Sequence, residues 1–96
     1  MSGPVACFAR SKGVADAQID GDTILMSPTD RRCFGVNRTG TRVWELLPPA
    51  DAAGVTADHV VDRLMDAYDV ERSVCLDEVT RVLAAMVDAG VVSRAI

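Results

Sequence analysis

Hydrophobic positions change their spacing once along this chain. Over residues 14–20 the sequence VADAQID sets Ala15, Ala17 and Ile19 against Asp16, Gln18 and Asp20, the period-two alternation of a strand. Asp20-Gly21 follows, a two-residue hairpin signal because both positions tolerate positive φ. DTILM, Asp22–Met26, is the return strand. SPTD then has turn chemistry: Pro28 fixes φ, and the Asp30 carboxylate can accept a bond from nearby backbone. RRCFGV, residues 31–36, reads as a third strand, so the first half predicts an antiparallel meander.

From Asn37 onward the period is helical. Asn37 is a good N-cap, since its side-chain oxygen can accept an orphan amide of the first turn. Gly40, Val43, Trp44 and Leu47 fall at i, i+3, i+4 and i+7, and Pro48-Pro49 ends the helix. Gly40 costs up to about 1 kcal/mol relative to Ala, which implies close approach of another backbone. A second helix opens at Thr56 with Ala57, Val60, Val61, Leu64, Met65 and Tyr68 on one face. A third runs from about Arg72 to Asp88, carries Cys75, Leu76, Val79, Val82, Leu83, Met86 and Val87, and stops at Gly90. The expected class is α+β: three strands, then three helices, with Val91 and Val92 packing back. Residues 1–13 read as a flexible segment, 14–92 as one domain and 93–96 as a tail.

Composition narrows what such a domain can do. Of 96 residues, 49% are hydrophobic and only 4% aromatic, so the core is mainly Val, Leu, Ala and Met. No apolar run is long enough to span a membrane. The N-terminus lacks the apolar stretch of a signal peptide, so the expected compartment is the cytoplasm. Cys7, Cys33 and Cys75 are odd in number and far apart, and read as free structural thiols, Cys33 and Cys75 as small buried hydrophobes. With His59 as the single histidine there is no zinc-like set, and no metal or cofactor is expected. His59 reads as a surface residue, and the Asn37-Arg38-Thr39 sequon as a helix cap.

Charge is uneven. Residues 31–47 hold four Arg against one Glu, a local +3, within a chain of net charge −4. Residues 51–90 hold nine acids against three Arg. The corner between the third strand and the first helix is therefore the electropositive part of an acidic molecule, either an ordinary solvated face or a docking edge for an acidic peptide.

The order of hairpin, third strand, G-V-N-x-T-G-x-x-V-W-E-L-L from Gly35 to Leu47, acidic helix, Y-D-V, long final helix and A-G-V-V resembles the PqqD-like family. Those are small winged-helix-like domains that recognise ribosomally made, post-translationally modified peptides. The resemblance spans about residues 14–92 and is most specific over Gly35 to Leu47. Trp44, and the absence of Asp-Gly after the first helix, look more like the stand-alone lasso-peptide members than the pyrroloquinoline-quinone chaperone. Arg38 stands where the family often has Pro, and Cys33 where relatives often carry Tyr; the latter would alter the pocket.

The resemblance implies a non-catalytic protein that binds a precursor's leader peptide as an added strand beside the third strand, in a cleft closed by the third helix. The implied strand residues are Arg31, Arg32, Cys33, Phe34, Gly35 and Val36. Those of the helix are Val79, Val82, Leu83 and Met86, with Arg81 at the rim. The lasso type implies a leader peptidase and an ATP-dependent macrocyclase as partners; the quinone type implies a radical S-adenosylmethionine enzyme. Trp44 is expected to anchor the core. Two other classes fit less well. A DNA-binding winged helix needs a basic recognition helix, but the third helix sets Arg72 and Arg81 against Asp77, Glu78 and Asp88. A Cys- or His-dependent hydrolase needs an oriented triad that the motifs do not supply.

Overall fold

The computed structural model describes residues 5–95. Five strands and three helices follow in the order β1 (Cys7–Arg10), β2 (Ala15–Ile19), β3 (Asp22–Met26), β4 (Cys33–Val36), α1 (Arg38–Leu46), α2 (Ala57–Ala67), α3 (Arg72–Asp88) and β5 (Val92–Ala95). The three-stranded antiparallel sheet followed by three helices is the architecture the sequence implies. Its strand order is β2-β3-β4, so β4, the third strand of the sequence reading, has one open edge.

The ends of the chain depart from expectation. Residues 7–10 and 92–95 pair as a two-stranded antiparallel sheet with Cys7 opposite Ala95. Phe8 also exchanges backbone bonds with Val55, at 2.7 and 2.9 Å, and Arg10 N–H donates to Pro48 C=O at 2.9 Å. β1 thus lies between β5 and the α1–α2 connection. Neither CFAR nor VSRA alternates strongly, and the partners are more than eighty residues apart, so no local pattern announces the pair. Of the segment expected to be flexible, residues 1–4 lie outside the described residues.

Local chemistry explains the rest. Asp20 and Gly21 take φ of 52° and 87°, the positive values the hairpin turn requires. Asn37 caps α1 by accepting from Gly40 N–H at 3.0 Å, and Thr56 caps α2 through His59 N–H at 3.1 Å. Past α3, Gly90 (φ 79°) donates to Val87 and Val91 donates to Met86, the paired bonds of a Schellman stop. One core joins Leu25 and Val36 of the sheet to Val43, Trp44, Val60, Val61, Leu64, Val79, Leu83 and Met86 of the helices. A Cβ on Gly40 would lie 2.7 Å from the Val36 Cβ, so the neighbour that requires glycine is the Val36 side chain and not the backbone expected.

Register decides which face of the sheet meets that core. Leu25 and Thr23 of β3 point inward, and Thr41 of α1 donates to the Thr23 hydroxyl at 2.8 Å. The pairing puts Asp16 and Gln18 of β2 on this same inner face. Asp16 uses its place, accepting from the Trp44 indole at 2.8 Å. The alternate set, Ala15, Ala17 and Ile19, therefore looks outward and is exposed, in cross-strand rows Ala15–Met26–Cys33 and Ala17–Ile24–Gly35. Trp44 is an anchor, 3% exposed, with the Arg10 guanidinium 4.6 Å above its ring and donating to its carbonyl.

Candidate functional site

β4 is short because its neighbours interrupt it on both sides. Arg31 has φ 58° and closes the turn by donating to Ser27 C=O, while Asp30 accepts from Arg32 N–H at 3.2 Å. That amide holds the Asp30 carboxyl below its ordinary range. At the other end Asn37 starts α1. Four residues of open edge remain.

Parity tells which backbone groups that edge offers. In an antiparallel ladder, opposed residues alternate between pairs that exchange both bonds and pairs whose groups point away. Ser27 N–H donates to Arg32 C=O, and the register continues through Leu25–Phe34 and Thr23–Val36. These are the bonded pairs. The two-residue hairpin leads to the same parity, because it makes Ile19–Asp22 a bonded pair between β2 and β3. Phe34 and Val36 therefore direct their N–H and C=O groups to β3. Those of Cys33 and Gly35 point to the open edge.

Side chains around this edge separate into accessible and inaccessible. Cys33 and Gly35 are exposed on the outer face; the reading of Cys33 as a buried hydrophobe is corrected, because its row faces solvent. Phe34 is half-buried and packs on the core from the inner face, and Val36 is buried. Arg31 and Arg32 are exposed and make no ion pair with any described residue.

The third helix requires a larger correction. Leu83 and Met86, expected on a cleft wall, are 1% and 0% exposed and close the core. Their side chains cannot touch a guest without opening the domain. Val79 is equally buried, Val82 is half-buried at the core margin, and Arg81 is exposed and paired with Asp77 of its own helix at 3.0 Å. The helix turns its Cys75, Val79, Leu83 and Met86 stripe to the core, leaving other positions for the surface.

What α3 does present lies nearer its N-terminus. Val74, 59% exposed, forms an apolar groove of about 250 Å³ with Leu64, Tyr68 and Val70. Cys75 and Val79 contribute to its lining, and Arg38, Thr39, Arg42 and Glu78 complete it. Arg38 begins two residues past Val36, a reach of at most about 7 Å along the chain. The open edge and the groove are neighbours through α1. The helical pattern places Tyr68 in the apolar stripe of α2 and gives Val74 no role. The available signal was their position: Tyr68 caps the end of α2 and Val74 lies in the first turn of α3, on either side of the short connection.

A larger depression of about 610 Å³ lies at the far end of α1. Its charges are mixed, Arg10 and Lys12 with Asp16 and Asp51, and Arg10 and Asp16 are already bonded to Trp44. Val14, Trp44 and Pro49 lie here beside the outer edge of β2, but Trp44 is buried as a core anchor and the charged groups around it are of both signs. Among the described residues no three His, Cys, Asp or Glu side chains gather as a metal would need. No helix among them is long and apolar enough to cross a membrane.

The fold defines a small winged-helix-like α+β domain whose open β4 edge lies near an apolar groove. Residues 22–92 match the family model of coenzyme PQQ synthesis protein D (PqqD), and the chain belongs to that family. Among solved structures it is similar to TbiB1 in complex with the TbiA(beta) leader peptide, with a TM-score of 0.73 and 24% identity, covering 88% of this chain and 94% of that one. That likeness establishes the shared fold. No curated protein matches the chain at a significant level.

Proposed function

We propose that this protein is a non-catalytic leader-binding element of ribosomal peptide biosynthesis. It captures the precursor's leader as a strand on β4 and holds one apolar leader side chain in the adjoining groove. The observation that carries this reading is the open edge at Cys33 and Gly35 beside an apolar groove. Family membership supports it, as does the shared fold with a protein solved with a leader peptide bound.

Energetics explain why both parts are needed. Cys33 and Gly35 offer two donors and two acceptors, so pairing yields about four bonds at roughly 1 kcal/mol each. Ordering a disordered peptide costs about 2–5 kcal/mol. The two nearly cancel. Burying one Leu- or Phe-sized side chain adds about 1.5–3 kcal/mol, and this decides affinity and selectivity. Arg38 at the groove and the unpaired Arg31 and Arg32 at the other end of β4 favour a leader with acids flanking the strand.

The lasso-peptide type, with a leader peptidase and an ATP-dependent macrocyclase as partners, is favoured by Trp44 and by PPADAAG in place of Asp-Gly after α1. The family model favours the second reading, a peptide chaperone serving a radical S-adenosylmethionine enzyme. Calorimetry of this chain with the leader of the precursor encoded beside its gene tests the shared claim. Saturable one-to-one binding is expected without any cofactor. No heat and no competition at high micromolar leader refutes it.

A further inference from the structure

Most large apolar side chains left exposed fall in two places. Tyr68, Val70 and Val74 border the groove, whereas Ile19 (58% exposed) and Met26 (39%) sit on the outer face of the β2–β3–β4 sheet with the half-buried Ile24. The groove belongs to the guest, and the outer face has no such assignment. Every residue of its two long cross-strand rows is apolar or small. Its two ends carry opposite charge: Asp20 and Asp22 at the hairpin turn, Arg31 and Arg32 at the turn into β4. None of these four is ion-paired with a described residue.

We propose that this outer face, widened by a guest strand on β4, is the docking surface for the protein that acts on the guest peptide. The inference rests on the leader-binding reading. Continuity with the guest edge carries it. Side chains of a strand alternate between faces, so about half of those on a paired guest join the outer face beside Cys33 and Gly35. A partner lying there touches scaffold and guest together. Its complementary surface is an apolar patch with a basic group facing Asp20 and Asp22, since Arg31 and Arg32 serve the acids of the guest.

Area selects this occupant over a second copy of the chain. Two five-residue strands and one of four present about 220 Å², and a guest strand matched to β4 raises this to about 290 Å². A stable dimer buries roughly 800 Å² per partner. The face is too small for permanent self-association and suits a transient encounter, stronger when the guest has completed the surface.

The test uses the peptidase encoded beside this gene as the probe, with the full chain immobilised and its leader present or absent. Ile19→Asp and Met26→Asp change exposed side chains, and a leader titration on each variant checks folding and the guest site together. The expected result is unchanged leader affinity and peptidase binding to the loaded chain weakened about tenfold or more. Undiminished peptidase binding by both variants overturns the proposal while leaving leader recognition intact. So does equal affinity for empty and loaded wild type, absence of binding to the loaded form, or a dimer by light scattering that Ile19→Asp dissolves. If the wild type binds no leader at all, the leader-binding reading fails, and this one with it.

Discussion

Gly35→Pro isolates the edge of β4 from everything else in the domain. The Gly35 amide points to the open edge, so proline removes a donor that no described residue uses. Space is not the difficulty: a Cβ at this position meets only the Ile24 Cδ1, at 3.6 Å, which is ordinary contact. Edge strands tolerate proline when the lost donor faces solvent. Stability should therefore change little, whereas a leader carbonyl opposite Gly35 loses its partner. Leaving that group unsatisfied costs roughly 1–3 kcal/mol, about 5- to 150-fold in Kd. Gly35→Ala is the control, because it adds the same Cβ and keeps the donor; it should bind as wild type does. Phe34→Pro, by contrast, removes a donor to β3 and should lower the melting temperature. Calorimetry for affinity and thermal unfolding for stability give the two readouts. If Gly35→Pro remains folded and binds the leader as Gly35→Ala does, the guest is not paired on this edge and the parity argument is wrong.

Other expectations concern the groove, the α1–β4 contact and the turn. Val74→Asp should weaken leader binding by about 1.5–3 kcal/mol, measured by titration, and Arg81→Ala should hardly change it because Arg81 is exposed and occupied by Asp77. Met86→Ala should act on stability, losing about 2–5 kcal/mol in denaturant unfolding, since the side chain is 0% exposed in the core. Gly40→Ala brings a Cβ to 2.7 Å from Val36, and overpacking of about 1–3 kcal/mol should outweigh a helix gain of up to about 1 kcal/mol, lowering the melting temperature. Asp30, whose folded pKa is depressed by the Arg32 amide, should titrate below 3.8 by NMR. Its support of the turn into β4 is present above that value and lost as pH falls through the folded pKa.

Much of the molecule was legible in the sequence because its signals are local. Asp20-Gly21, the Asn37 and Thr56 caps, Pro48 and Gly90 each act within a few residues, and they place the turns and helix ends seen in the structure. Periodicity placed Trp44, Val60, Val61 and Leu64 in the core for the same reason. Tertiary structure decided what no local pattern contains. Pairing of Cys7–Arg10 with Val92–Ala95 depends on opposite ends of the chain meeting. The outward turn of Ala15, Ala17 and Ile19 follows from Leu25 and Thr23 claiming the inner face, which commits every cross-strand neighbour to its side. On α3, Val74 and the seven apolar positions that follow it, alanines aside, exceed the width of one core stripe, and only packing against α1 and α2 determines that Leu83 and Met86 go inside while Val74 stays at the surface. A one-dimensional pattern gives the period of an apolar face; the neighbours it meets in three dimensions set which part of that face remains for a ligand.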